Sequence, residues 1–140
     1  MTEGRAARVE VFFYGLFMDE ALLRGKGLNP ENSRAASVDD FQLLIGERAT
    51  LVRREGERAH GVVYTLTRGE VESLYSEESV GAYRSEVVTA RLADGRVERV
   101  VCFNLPAPPS EEERNPLYAS KLRALAERLG LPADYVSSIR

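Results

Sequence analysis

The sequence has one cysteine and one histidine in 140 residues, no excess of basic charge and no long apolar run. A single Cys forms no internal disulfide, and one Cys with one His cannot build a Cys/His metal cage within a chain. Metal chemistry would rest on carboxylates alone, so no metal and no cofactor is expected. Lys and Arg number 19 against 22 Asp and Glu, a net charge of −3, which leaves no cationic surplus for phosphates or anionic lipid. Neither nucleic acid nor a membrane surface is therefore expected as a partner. The apolar run at residues 11–18 stops far short of the ~20 residues of a membrane span. Residues 1–8 carry charge with no signal-peptide pattern behind them, and a cytoplasmic location is expected. Gly25-Lys26-Gly27 follows a helix pattern instead of opening one, so it is no phosphate loop.

Apolar residues make up 44% and charged residues 29%, ordinary globular usage with enough material for a core. The length points to a single domain over residues 1–140, with residues 1–7 as a flexible N-terminal tail. Residues 8–14 read as a first strand buried on both faces and ended by Gly15, followed by a short helix that begins near Asp19 and stops at Gly25. Residues 37–52 read as one bent strand or two strands joined at a bulge, the charged stretch 53–58 as a hairpin tip, and residues 60–66 as the returning strand. Thr67 with Glu70 makes a capping box ahead of a helix. Asp94-Gly95 joins two further strands as a hairpin. Pro116 opens a helix that ends at Gly130, and residues 131–139 form a short closing helix. The expected fold is α+β: a mainly antiparallel, barrel-like mixed sheet of about six strands with flanking short helices.

Few residues have a pattern that suggests chemistry. His60 has no Ser, Cys or carboxylate in an informative pattern near it, and Cys102 lies in an apolar strand, where a thiol is buried and inert. The carboxylates are more telling. If the helix after Thr67 continues through residue 78, Glu78 falls at i+7 from Val71, i+4 from Leu74 and i+3 from Tyr75, on the apolar face. Glu77 then falls roughly 120° away, toward solvent. A carboxylate turned inward has its charged form destabilised, which suits a general acid/base near neutrality. The second feature is Tyr14-Gly15-Leu16-Phe17-Met18, where a buried strand passes through Gly into a helix and lines up backbone N–H groups for a carboxylate or an oxyanion.

Taken together, Phe13-Tyr14-Gly15-Leu16, Gly61-Val62-Val63-Tyr64-Thr65-Leu66, Leu74-Tyr75-Ser76-Glu77-Glu78-Ser79, Tyr83-Arg84 and Asn115-Pro116-Leu117-Tyr118 resemble, in order and spacing, the γ-glutamylcyclotransferase-like family. The resemblance spans residues 9–139 and implies a metal-independent enzyme acting on a small-molecule γ-glutamyl substrate. A Glu of the family acts on the substrate's α-amino group, which attacks its own γ-carbonyl and releases 5-oxoproline with an amine or amino acid. Counting forward from Leu74 puts that Glu at Glu78, and counting back from Tyr83 favours Glu77. Helical register selects Glu78. The resemblance further implies that Tyr14, Gly15, Leu16 and Phe17 form the loop that holds the substrate's carboxylate and carbonyl oxygen, with Tyr83 and Tyr118 lining the pocket. Leu16 and Phe17 stand where the family has small and polar loop residues, Tyr75 where it has Asp, and Ser79 where it has Gly. These departures imply a changed substrate or, as the alternative, a non-catalytic member of the fold that binds a small ligand or a protein. A third outcome is hydrolysis of a γ-glutamyl amide, with free glutamate as product.

Overall fold

The computed structural model describes residues 7–140. The expected tail at residues 1–7 lies outside them except for Ala7, whose carbonyl accepts a hydrogen bond from the Arg68 N–H at 2.8 Å. Five strands form a closed barrel: β1 (Arg8–Phe13), β2 (Glu31–Ile45), β3 (Ala49–Thr67), β4 (Arg84–Leu92) and β5 (Val97–Asn104), in the order β1-β3-β2-β4-β5. All neighbours are antiparallel except β1 and β5, whose parallel pairing closes the ring.

There are five strands instead of six because β2 and β3 are long and their turn falls elsewhere than expected. The turn is at residues 46–48, where Gly46 is packed so tightly against Pro109 that a Cβ would sit 2.4 Å from it. The charged stretch 53–58 lies inside β3. Asp39 pairs with Arg58 and Phe41 with Arg53, so Asp40 faces an enlarged bulge of residues 54–57. Asp40 and Gly56 both take positive φ there, and the Gly56 N–H donates to Asp40 Oδ1 at 3.0 Å. Alternating charges exposed at the surface suit a wide bulge as well as a hairpin tip, and composition alone does not distinguish them.

Strand alternation sorts the core into two clusters. Phe12, Val38, Val63, Val88 and Val100, one from each strand, pack together with Cys102 in the barrel interior. Val11, Phe13, Val62 and Tyr64 point the other way, into a helical layer. That layer is made of α1 (Glu20–Gly25), α2 (Arg68–Leu74), α3 (Pro116–Arg128) and α4 (Ala133–Ser138), which contribute Leu23, Leu74, Leu122 and Val136. The double burial expected of the first strand is observed: Val11, Phe12 and Phe13 are all at most 3% exposed.

Helix boundaries follow their caps. Asp19 accepts from the Ala21 N–H at 3.0 Å at the start of α1, and Thr67 and Glu70 make both bonds of the capping box ahead of α2. Asn115 Oδ1 accepts from the Tyr118 N–H at 3.1 Å, while its Nδ2 donates to the Glu47 carbonyl at 2.9 Å. One side chain thus caps α3 and ties it to the β2–β3 turn. No helix among the described residues is long and apolar enough to cross a membrane.

Candidate functional site

After Phe13 the chain leaves β1 through Tyr14 and Gly15 into a 3-10 turn, Leu16–Met18. The first bond of that turn runs from the Met18 N–H to the Gly15 carbonyl at 3.0 Å, so the Gly15, Leu16 and Phe17 amides are not used by the turn itself. The Tyr118 hydroxyl reaches the loop from the first turn of α3 and accepts from the Leu16 N–H at 3.3 Å. Gly15 permits this approach, since a Cβ there would lie 2.5 Å from the Tyr118 hydroxyl oxygen. Tyr14 is fixed by donating its hydroxyl to the Phe103 carbonyl at 2.7 Å, and Tyr83 donates to the Ala49 carbonyl.

These residues surround a cavity of about 310 Å³, at the small end of the ~300–1,000 Å³ typical of small-molecule sites. Tyr14, Gly15, Leu16, Phe17, Tyr83 and Tyr118 all line it, so the six residues expected to bind substrate are brought together.

The helical register that placed Glu78 on the inner face requires a correction. Helix α2 ends at Leu74, with Tyr75 as its C-cap, and the chain turns at Glu77 into extended backbone (φ −66°, ψ 139°) before a second 3-10 turn, Glu78–Val80. The helical register that put Glu78 inward therefore does not reach it. Glu78 is exposed and is not a lining residue, whereas Glu77 lines the cavity with its side chain 36% exposed. The helix stops early because Tyr75 leaves the helical path to stack on Phe103, with ring centroids 3.8 Å apart and planes at 14°. The Ser76 hydroxyl also donates back to the Ser73 carbonyl at 2.7 Å, a local bond that competes with continued helix. Lys26 Nζ contacts both Glu77 oxygens, at 2.8 and 3.1 Å, and fixes the carboxylate at the rim.

The tyrosines cannot act as the base near neutrality. Burial raises the hydroxyl pKa of Tyr14, Tyr75 and Tyr118 above the ordinary phenol value and pushes Tyr83 up to about 12. All four remain protonated and serve as fixed dipoles. Cys102 is buried in the barrel interior, away from the cavity lining, and burial pushes its thiol up to about 12. Two carboxylates line the cavity, Glu47 and Glu77. Glu47 is exposed on the β2–β3 turn, so Glu77 is the more enclosed. Among the described residues no group of three or more His, Cys, Asp or Glu is placed to hold a metal ion.

His60 lies away from this cavity, its ring against that of Tyr135 with centroids 4.8 Å apart. Burial lowers its pKa, assisted by Arg58. The unfolded chain therefore binds this proton more readily than the folded one, and the stability involved is complete above pH ~6.5 and declines below it. Urea unfolding at pH 7.5 and 5.5 is expected to show a smaller acid loss in His60→Gln than in the parent protein.

Sequence reasoning missed Lys26, Glu47, Arg48 and Phe103 as lining residues. Lys26 was visible only as a failed phosphate-loop motif. The other three reach the cavity through the barrel closure and the bracing of the β2–β3 turn by Asn115, which are long-range features.

A family model described as gamma-glutamyl cyclotransferase, AIG2-like, matches residues 11–122. The chain belongs to this family. The matched range contains the Tyr14–Phe17 loop, both Glu77 and Glu78, and Tyr83 and Tyr118. The α+β barrel is also the fold of a solved protein titled gamma-glutamyl cyclotransferase, at 20% identity and TM-score 0.80, covering 96% of this chain and 89% of that one. An uncharacterized protein from Homo sapiens is similar at 21% identity and TM-score 0.77, over 95% and 88% of the two chains. YkqA from Bacillus subtilis gives 22% and 0.75, over 93% of this chain and 52% of that one. No curated protein matches the sequence.

Proposed function

We propose that the protein cyclises a γ-glutamyl amide, releasing 5-oxoproline and an amine, with Glu77 as the acid/base. The observation that carries this reading is that Glu77 and the Gly15-Leu16-Phe17 loop open onto one cavity. In the proposed step the substrate's α-amino nitrogen attacks its own γ-carbonyl carbon. A C–N bond forms, the carbonyl becomes an oxyanion, and the nitrogen loses a proton to Glu77. Collapse breaks the original amide C–N bond, and Glu77 returns the proton to the departing amine. Water is neither consumed nor produced.

Each element has a physical reason. Attack within one molecule needs alignment more than activation, and good alignment is worth up to ~7–11 kcal/mol. The loop amides would supply fixed dipoles for the oxyanion, with the Leu16 N–H exchanging its Tyr118 bond for the substrate, and a single such donor is worth about 3–4 kcal/mol. The Lys26–Glu77 pair supports this reading, since a carboxylate that accepts from an ammonium N–H can equally accept from the N–H of the substrate's α-amino group. The test is incubation with a panel of γ-glutamyl amides and mass spectrometry of the products. Formation of 5-oxoproline is expected. Free glutamate in its place would mean hydrolysis, and no product with retained binding would mean a non-catalytic binding protein.

A further inference from the structure

We propose that the site selects γ-glutamyl amides whose amine carries an uncharged aromatic or branched apolar group. This rests on the cyclotransferase reading and adds the class of amine released. The far wall of the cavity is a set of rings in mutual contact. Phe17 meets Tyr75 edge-on at 6.2 Å, Tyr75 stacks on Phe103, and Tyr83 lies 6.3 Å from Tyr75. Two of the tyrosine hydroxyls around the wall are engaged, since those of Tyr14 and Tyr83 donate to the backbone carbonyls of Phe103 and Ala49. What the wall presents to the cavity is mainly ring carbon, braced by ring-on-ring contact.

Four charged side chains also line the cavity: Lys26, Glu47, Arg48 and Glu77. Lys26 and Glu77 form a pair at the rim. The γ-glutamyl half of the substrate brings one ammonium and one carboxylate, which Glu77 and the loop amides can match. A second charge on the amine half laid against the rings would lose water there, and the further charges lining the cavity, Glu47 and Arg48, are solvent-exposed on the β2–β3 turn. A cationic amine would gain ring contact, but Lys26 Nζ already lies 5.8 Å from the Phe17 ring centroid, and like charges repel. An uncharged apolar group meets none of these penalties and buries its surface against the wall.

The experiment compares kcat/KM for four substrates: γ-glutamyl phenethylamide, γ-glutamyl isoamylamide, γ-glutamylglycine and Nε-(γ-glutamyl)lysine. The two apolar amides are expected to exceed the two charged ones by about 10-fold or more. Tyr75→Asp should reduce that ratio to within about twofold, and Tyr75→Phe, which keeps the ring, should preserve it. Equal values across the panel in the parent protein, or a preference for either charged amine, would overturn the proposal without need of any variant. Calorimetric binding of the same four compounds to Glu77→Gln separates the two claims. If no compound yields 5-oxoproline, the cyclisation reading fails, and the order of binding affinities still decides the amine class. If 5-oxoproline forms without preference, the reading stands and the amine proposal fails.

Discussion

Glu77→Gln is expected to lower kcat for 5-oxoproline release by about 10²- to 10⁴-fold, and Glu78→Gln by less than about twofold. The substitutions are the same size and chemistry at adjacent positions, so the contrast isolates what each carboxylate faces. Glu77 is at the rim of the cavity with both oxygens on Lys26, and Glu78 is exposed beyond it. The amide in Glu77→Gln keeps the shape but cannot take a proton from the attacking amine, so kcat should fall, and KM should rise as well because the carboxylate also holds the substrate's α-amino group. Removing the carboxylate also frees Lys26, and Lys26→Gln is the control. It should misorient Glu77 and reduce the rate by a smaller factor, because the proton acceptor is still present. A result in which Glu78→Gln is the damaging substitution would return the acid/base role to the residue that helical register favoured.

Gly61→Ala is expected to cost about 3 kcal/mol or more of stability, lowering Tm by roughly 10 °C. Gly61 lies in β3 where a Cβ would be 2.1 Å from the Phe13 carbonyl oxygen and 2.9 Å from the Phe12 ring. The first neighbour is backbone in a paired strand and cannot swing aside, so β1 and β3 must separate locally. Phe13 leads directly into the Tyr14-Gly15 loop, so the same displacement should disturb the cavity, and variant that does fold is expected to have reduced activity. Gly15→Ala makes the comparison sharper. Its Cβ would meet only the Tyr118 hydroxyl, at 2.5 Å, the far end of a side chain. Its stability cost should be smaller, and its effect should fall on the loop and the Leu16–Tyr118 contact. Thermal unfolding followed by circular dichroism distinguishes the two.

Much of the architecture is local and therefore legible in the sequence. The first strand's apolar run, the Thr67–Glu70 capping box, the Asp94-Gly95 hairpin and the Pro116 helix start each depend on residues a few positions apart, and each is present as expected. The Tyr14–Phe17 loop, Tyr83 and Tyr118 were legible through the resemblance of five short blocks, and the structure brings them around one cavity. Two features were not legible. The charged stretch 53–58 carries the composition of a hairpin tip, but the register of β2 on β3 is set by the apolar residues on either side and by the packing of Gly46 on Pro109. The end of α2 was missed for a similar reason. Periodicity continues through Glu78 on paper, whereas the ring of Tyr75 finds Phe103, nearly thirty residues further along the chain, and that tertiary contact overrides a weak local propensity. The choice between two adjacent carboxylates therefore depended on an aromatic stack between distant parts of the chain.

The central claim is that the site joins the substrate's own amine to its γ-carbonyl without water. The most direct measurement is turnover of γ-glutamyl phenethylamide in H₂¹⁸O with mass spectrometry of the acid product. The expected product is 5-oxoproline with no ¹⁸O, released in step with free phenethylamine. Glutamate carrying one ¹⁸O in its γ-carboxylate would contradict the claim, because water would then have attacked where the amine is held to attack.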